Sequence, residues 1–240
     1  MTNRQQVSFS ATQDHESACA QVVSLFRGRW LKGYVRGKLR TDPMYDAVFE
    51  RLRGSPLPIL DIGCGVGILP FYLRQRGLCQ PMTGVDCDAG RIAVAQRIAA
   101  EHYRNLSFIH QDARTPIEFQ GQVAMLDVLH YLNDDDQRQL LNNISEGVAP
   151  GGAAVIRECR RDSSNRFKLT NVEEHIARAL RWYKGRIISF PTAQTIAQPF
   201  RARGFREEIL PMWGATPFNN YLFVFRRPAN SAASLGTTNE

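Results

Sequence analysis

The sequence predicts an α/β protein with a doubly wound, mostly parallel sheet, and three observations support this prediction. Short apolar runs alternate with longer amphipathic runs over residues 57–156, as they do when parallel strands are joined by crossover helices. A glycine-rich turn directly follows the first apolar run, and the last two apolar runs are linked only by a turn-rich segment. Because consecutive strands joined by a loop pair most simply in the antiparallel sense, we expect a C-terminal antiparallel hairpin.

The individual elements follow from apolar patterning and from local start and stop signals. In chain order, the predicted strands are Leu57–Ile62, Met82–Val85, Leu106–Ile109, Val123–Leu129, Ala153–Ile156, Phe205–Leu210 and Tyr221–Phe225. The predicted helices are Ala18–Phe26, Met44–Leu52, Ile68–Arg76, Ala89–Tyr103, Asp134–Val148, Val172–Trp182 and Pro191–Arg203. Asp42 and Pro43 form a start signal before the second helix, and Gly77 ends the third. The fourth strand is apolar almost throughout, which predicts burial on both of its faces.

Composition and charge limit the partners, metal sites and membrane spans that this protein could have, but they do not identify its function. The formal net charge of +7 favours acidic partners such as nucleic acid, an anionic membrane or an acidic carrier protein, although a solvated surface is the simpler interpretation of each basic cluster. The five cysteines are scattered and form no CxxC pair, so the sequence suggests neither a metal site nor a disulfide framework. No apolar stretch is long enough to span a bilayer. We therefore expect a cytoplasmic protein.

The glycine-rich turn after the first strand is the strongest functional signal. Asp61 is followed by Gly63, Gly65 and Gly67, and such a strand–turn–helix lets a nucleoside-bearing ligand approach the main chain closely. A dinucleotide fingerprint would have its third glycine at Ile68 instead. The carboxylate of Asp61 is also a poor neighbour for a pyrophosphate and a good one for an ammonium group. The loop therefore favours a ligand with a cationic amino-acid end.

Three further acids follow the next predicted strands, so that all are expected at the carboxyl edge of one sheet. Asp86 ends the second strand and can accept hydrogen bonds from both hydroxyls of a ribose; the alternative is an exposed acid that opens the next helix, a role that Asp88 can fill. Asp112 follows the third strand and could accept from the amine of adenine, or could be a simple turn residue. Asp127, in the fourth run, is expected near the cationic end of the ligand.

His130 is the candidate general base, because a neutral imidazole is well suited to accept a proton near pH 7. It leaves the fourth predicted strand toward the same edge of the sheet. The alternative is a histidine that simply packs at the end of the strand. The residues alone leave both interpretations open.

These motifs resemble those of class I S-adenosylmethionine-dependent methyltransferases that act largely on small molecules. The resemblance covers residues 57–156, and the hairpin over residues 205–225 fits the family's fold. It implies a Rossmann-like sheet of seven strands, S-adenosyl-L-methionine as cofactor, S-adenosyl-L-homocysteine as product, and a single-displacement transfer. The cofactor-binding residues that it implies are Asp61, Gly63, Cys64, Gly65, Gly67, Asp86, Cys87, Asp112, Ala113 and Asp127.

The resemblance also suggests an organisation of the chain and a set of acceptors. It implies an N-terminal helical and lid segment over residues 1–56 and a methyltransferase catalytic domain over 57–227. The small, polar composition of residues 228–240 predicts a disordered tail. Within the lid, Tyr34, Arg36 and Lys38 are candidates to hold the cofactor carboxylate or an acidic substrate; surface packing is the alternative for each. The Asn/Asp-Pro-Pro-Tyr signature of amino-methyltransferases is absent after strand four, which disfavours DNA as the substrate.

A second resemblance concerns the acceptor. Residues 38–43 and 211–221 are similar to segments of methyltransferases from bacterial aryl-polyene and related polyketide pathways. This similarity implies an aromatic or acyl acceptor, carried by an acidic acyl carrier protein that a basic entrance would attract. Two alternatives remain open: an RNA methyltransferase, suggested by the net charge, and a non-catalytic protein that binds the cofactor.

Overall fold

The computed structural model describes residues 14–161, 189–213 and 219–229. The helices of these residues are α1 (His15–Leu25), α2 (Arg29–Thr41), α3 (Met44–Leu52), α4 (Ile68–Gln75), α5 (Ala89–His102), α6 (Asp134–Gly147) and α7 (Ala193–Arg201). The strands are β1 (Ile59–Ile62), β2 (Met82–Asp86), β3 (Leu106–His110), β4 (Gln122–Leu126), β5 (Ala153–Cys159), β6 (Arg206–Pro211) and β7 (Asn220–Arg226). A short 3₁₀ helix, Leu129–Tyr131, follows β4.

The strands form one seven-stranded sheet in the order β3-β2-β1-β4-β5-β7-β6. Strands β1 to β5 pair in parallel, whereas β7 lies antiparallel to both β5 and β6. The predicted α/β fold with a C-terminal antiparallel hairpin is therefore confirmed. Because the strand order reverses between β1 and β4, the carboxyl ends of these strands border a crevice where ligands bind in open α/β sheets.

Two apolar clusters cover the two faces of the sheet, as a doubly wound arrangement requires. The first joins α1 to α5 to one face and includes Phe49, Phe71 and Tyr72, all buried. The second joins α6 and α7 to the other face, where the rings of Phe200 and Phe225 stack in parallel with their centroids 4.0 Å apart. Strand β4 is buried along nearly its whole length between these layers, as its apolar sequence predicts.

The prediction of the fourth strand as Val123–Leu129 was wrong at its end. Strand β4 stops at Leu126 because Asp127 adopts a left-handed backbone conformation with φ of 58°, and the chain then enters the 3₁₀ helix. Strand β5 is longer than predicted and runs to Cys159, so that Arg157 and Glu158 belong to the sheet. Both differences lie at the carboxyl edge, and both alter the surroundings of the predicted site.

The N-terminal helices pack on the sheet domain. The basic segment that was expected to form a lid is helix α2, whose Val35 and Leu39 are buried. Its three arginines are exposed and its two lysines are half-buried. The predicted helix Val172–Trp182 lies outside the described residues, as does most of the predicted tail. Among the helices that the structure does describe, none has the length and apolar character needed to cross a membrane.

Candidate functional site

A cleft of about 310 Å³ opens at the carboxyl edge of the sheet. Six of the predicted cofactor-binding residues line it: Gly63, Asp86, Cys87, Asp112, Ala113 and Asp127. They come from the ends of four strands that are adjacent in the sheet, β3, β2, β1 and β4. The volume of the cleft is at the small end of the range for small-molecule sites.

The three glycines of the loop are needed for different physical reasons. At Gly63, with φ of 77°, a Cβ would lie 2.3 Å from Cγ2 of Val128, so a side chain would collide with the wall of the cleft. At Gly67, which begins α4, a Cβ would lie within 3 Å of the Phe71 and Phe108 rings. Around Gly65, by contrast, a Cβ would meet nothing within 4 Å, so its main chain is open to a ligand.

Asp86 is held in place by the loop that it faces. One carboxylate oxygen accepts a hydrogen bond from the Gly65 N–H at 2.9 Å, and the other accepts from the Asp88 N–H at 2.8 Å. Asp88 itself caps α5 by accepting from the N–H of Arg91. The helix therefore does not need Asp86 as its cap, and a carboxylate has lone pairs left for two further donors.

Asp61 lies behind the loop and does not line the cleft. Its side chain is 3% exposed, and burial together with the nearby charge of Asp86 raises its pKa to about 8. Cys64 is also buried, so that the pKa of its thiol is raised, first by burial and then by the charges of Asp61 and Asp86. A cation brought near this carboxyl would favour the ionised form of Asp61.

Asp112 is paired with a residue that sequence reasoning overlooked. Arg114 donates from Nε and Nη2 to the two carboxylate oxygens at 3.0 and 2.6 Å, and both residues line the cleft. The pKa of Arg114 is raised by its hydrogen bond to Asp112. A ligand that bonds to this carboxylate must share it with the guanidinium.

Asp127 is the most exposed member of an ion cluster whose other members, Arg157 and Asp42, are largely buried. Its carboxylate oxygen lies 3.4 Å from Nε of Arg157, and its N–H donates to the Arg157 carbonyl at 3.0 Å. Nη1 of Arg157 in turn donates to Asp42 at 2.5 Å. Arg157 is missed by an analysis that ends the fifth strand at Ile156. One sequence signal could have identified Arg157: it and Glu158 are two charged residues that directly follow the apolar run 153–156.

His130 is buried and hydrogen-bonded to a glutamate. Its Nδ1 lies 2.7 Å from Oε1 of Glu158, which is fully buried on β5, and its ring stacks on Phe190 with centroids 5.6 Å apart. The neighbouring Tyr131 lines the cleft, whereas His130 does not. If Nδ1 donates its proton to Glu158, the lone pair of the neutral ring resides on Nε2. Glu158 is the third residue that sequence reasoning missed, after Arg114 and Arg157.

The three lid candidates lie on α2, away from the lining of the cleft. Tyr34 is half-exposed and stacks on Trp30, which is 81% exposed, with the two ring planes 5° apart. Arg36 is exposed and Lys38 is half-buried. The helix is connected to the site through Asp42, its C-cap, which pairs with Arg157.

The strand order, the glycine loop and the acids at the carboxyl edge define a class I methyltransferase fold. Residues 59–152 match the family described as a methyltransferase domain. The fold is therefore that of the class I methyltransferases, and residues 59–152 are similar to a methyltransferase domain, as the resemblance of the motifs implied.

Similar proteins agree with this assignment. The mitochondrial ubiquinone biosynthesis O-methyltransferase of Schizosaccharomyces pombe is 30% identical over 151 residues, which cover 60% of this chain and 53% of the relative. The match spans about half the length of this relative, and between 23% and 72% of the length of several other curated relatives. Magnesium protoporphyrin IX methyltransferase from Synechocystis PCC 6803, solved with bound SAH, superposes with a TM-score of 0.62 at 17% identity, covering 88% of this chain and 92% of that one.

The same fold also serves other chemistry. The structure of the [4+2]-cyclase SpnF superposes with a TM-score of 0.58 at 16% identity, covering 78% of this chain and 81% of that one. Likeness at these identities establishes the fold, and the reaction has to be argued from the site.

Proposed function

We propose that this protein transfers a methyl group from S-adenosyl-L-methionine to a small-molecule acceptor. The observation that carries the proposal is the convergence of Gly63, Asp86, Asp112 and Asp127 on one cleft at the switch point of the sheet. The sequence predicts a separate role for each residue in binding this one ligand. Gly63 lets the ligand approach the main chain, Asp86 binds the ribose, Asp112 binds the adenine, and Asp127 lies near the cationic end.

The residues fit this cofactor on the chemistry of their side chains. The open main chain at Gly65 admits close approach of the amino-acid portion, and the fixed carboxylate of Asp86 suits ribose hydroxyls. Asp61 and Asp127 supply negative charge for an ammonium and a sulfonium group. The raised pKa of Asp61 implies that the free protein holds a proton there, which a bound cation would displace.

The bound cofactor supplies an electrophilic methyl group, so catalysis depends mainly on alignment of the acceptor. A lone pair of the acceptor forms the new bond to the methyl carbon, the carbon–sulfur bond breaks, and its electron pair stays on sulfur. For a hydroxyl acceptor, the proton passes to a base, and we assign this role to Nε2 of His130 with Glu158 orienting the ring. Because His130 is buried and does not line the cleft, this role requires that neighbouring side chains move to admit the acceptor. An acceptor that is already anionic needs no base.

We further propose that the acceptor is an aromatic or acyl group, free or tethered to an acidic acyl carrier protein. Helix α2 supports the carrier because it has five cations, Arg29, Lys32, Arg36, Lys38 and Arg40, and its sequence contains no acid. Charge of this kind speeds encounter with an acidic partner more than it strengthens the final complex. Tyr34, Arg36 and Lys38 are the residues we assign to this entrance.

Binding of S-adenosyl-L-homocysteine tests whether the cleft binds the cofactor, on which the rest of the proposal depends. At a ligand concentration of about 100 times Kd, binding should stabilise the protein by roughly 2.7 kcal/mol and raise its Tm by about 5–10 °C. Asp86→Ala should remove this shift, whereas the matched control Asp135→Ala, at an exposed carboxylate on α6, should retain it. An equal shift in both variants would mean that the ligand binds elsewhere.

Turnover distinguishes an enzyme from a cofactor-binding protein. We expect transfer of label from methyl-labelled cofactor to phenolic or carrier-bound aryl-acyl acceptors, with formation of S-adenosyl-L-homocysteine. Binding of the cofactor without turnover on free acceptors, carrier-bound acceptors or RNA would favour the non-catalytic alternative. Turnover on RNA alone, with strongly salt-dependent binding, would favour the RNA methyltransferase.

A further inference from the structure

We propose that Arg157 and Asp42 are positioning residues that fix the orientation and net charge of Asp127, so that the site prefers the cationic cofactor over its neutral product. This inference rests on the proposed function. It assigns a role to two residues, one on β5 and one at the junction of α2 and α3, that do not line the cleft themselves.

The geometry of the cluster is specific. The guanidinium of Arg157 bridges two carboxylates: Nη1 lies 2.5 Å from Oδ2 of Asp42, and Nε lies 3.4 Å from Oδ1 of Asp127. Nη1 also lies 2.6 Å from the sulfur of Met44. The hydrogen bond to Asp42 fixes where the guanidinium lies. Since Nε makes no hydrogen bond to the described residues, the side chain of Asp127 is held to the guanidinium by charge.

The backbone supports the same constraint. Asp127 is one of two non-glycine residues with positive φ among those the structure describes, and its N–H donates to the carbonyl of Arg157. A left-handed conformation at a non-glycine residue persists where its surroundings enforce it. Arg157 therefore contacts Asp127 through both its main chain and its side chain.

The charges of the cluster leave one negative charge facing the cleft. Arg157 contributes one positive charge; although burial opposes it, the carboxylates of Asp127 and Asp42 raise the pKa of the guanidinium. Two carboxylates and one guanidinium sum to one negative charge. Tyr45 adds none, because burial, followed by the charge of Asp42, raises its pKa well above the usual range.

This residual charge distinguishes the two forms of the cofactor. S-adenosyl-L-methionine carries a positive sulfonium, whereas S-adenosyl-L-homocysteine has a neutral thioether, and the two are otherwise alike. A negative charge near this atom favours the substrate and weakens retention of the product. One unit charge acting across about 10 Å at a partly screened dielectric changes a binding constant by roughly fivefold.

Through the ion cluster, the N-terminal helices also affect the preference for the charged cofactor over its neutral product. Asp42 caps the C-terminus of α2 with its backbone N–H and accepts from the N–H of Met44 at the start of α3, so its side chain is positioned by both helices. Helix α3 in turn packs against β5, the strand that carries Arg157. The N-terminal segment therefore contributes a charge to the site without lining it.

The test compares the ratio of Kd for S-adenosyl-L-homocysteine to Kd for S-adenosyl-L-methionine, measured by calorimetry. Asp42→Asn makes the cluster neutral and should lower this ratio about fivefold, whereas Arg157→Gln adds net negative charge and should raise it. The double variant should return the ratio toward that of the wild type. Asp46→Asn is the matched control, since Asp46 lies on α3 but pairs with Arg76.

A purely structural role would change both affinities by the same factor and leave the ratio unaltered. An unchanged ratio in Asp42→Asn, in protein whose circular dichroism spectrum matches the wild type, would overturn the inference and leave the proposed function standing. Failure of the wild type to bind either ligand would overturn both. If Asp42→Asn does not fold, Arg157→Gln decides: it should raise the ratio, and an unchanged ratio in folded protein would overturn the inference.

Discussion

Replacing Asp61 with asparagine should stabilise the free protein and weaken its binding of the cofactor. Asp61 lies on β1, opposite Gly84 of β2 and Ala124 of β4, and its carboxyl group is 3% exposed. Asparagine has nearly the same volume and never ionises, so Asp61→Asn removes the ionisable group with little change in packing. Sites that bind cations often retain a carboxylate at a cost in stability.

The magnitude and its sign follow from the shifted pKa. Burial, with the charge of Asp86, raises the pKa of Asp61 from 3.8 to about 8 in the folded protein. Between these values the folded chain retains a proton that the unfolded chain has released, so the free energy of unfolding falls as pH rises. A rise of about 4 pKa units corresponds to roughly 5 kcal/mol, an upper value because unfolded chains retain some structure.

Urea unfolding of the ligand-free protein at pH 5, 6.5 and 8 measures this effect. Near pH 5 the two proteins should differ least, and the advantage of Asp61→Asn should grow to a few kcal/mol at pH 8. Asp135→Asn is the control, because the side chain of Asp135 is 89% exposed and its substitution should change stability by less than about 0.5 kcal/mol. A difference that is the same at every pH would refute the assignment of the raised pKa to Asp61.

The proposed ligand reverses the protonation of this carboxyl. A bound ammonium favours the ionised form, so binding to the wild type near pH 7 should release up to about one proton. Calorimetry in buffers of different ionisation enthalpy measures the number released. Asp61→Asn should release fewer protons and bind more weakly; equal release by both proteins would assign the proton to another group.

Three further changes probe separate parts of the site. Gly63→Ala would bring its Cβ against Val128 at positive φ, costing about 2–3 kcal/mol in urea unfolding, and Val128→Ala should recover part of this loss. Glu158→Gln should lower kcat on a hydroxyl acceptor about 100-fold with KM little changed, and an unaltered kcat would contradict His130 as the base. Arg36→Glu should lower kcat/KM several-fold for carrier-bound but not free acceptors; equal loss would contradict an electrostatic entrance.

The helices and strands could be predicted well because the residues that begin and end each element are close to it in the sequence. Helix α4 begins one residue after Gly67, in agreement with the prediction, since the glycine adopts the left-handed conformation that starts it. The prediction failed at the end of β4, where Asp127 turns the chain although the sequence stays apolar. Hydrophobic periodicity reports burial, and both a strand and a buried 3₁₀ helix satisfy it.

The acids of the cleft could be found from their positions at strand ends, but their partners could not. Asp86 and Asp127 follow apolar runs and were therefore visible. Arg114 lies only two residues after its partner Asp112, and nothing in the apolar pattern distinguishes it from a surface residue. Arg157 lies 30 residues beyond its partner Asp127 and became relevant only once the sheet brought the two together. Ion pairs between distant positions leave no periodic signal in a single sequence.

The sequence by itself determined the fold class, the glycine loop and the acids that border the cleft, because turn chemistry and strand alternation are encoded within a few neighbouring residues. The tertiary structure decided the protonation of Asp61, the pairing of His130 with Glu158 and the bridge from Asp42 through Arg157 to Asp127. These properties depend on burial and on distances across the sheet, which arise only when separate strands are brought together.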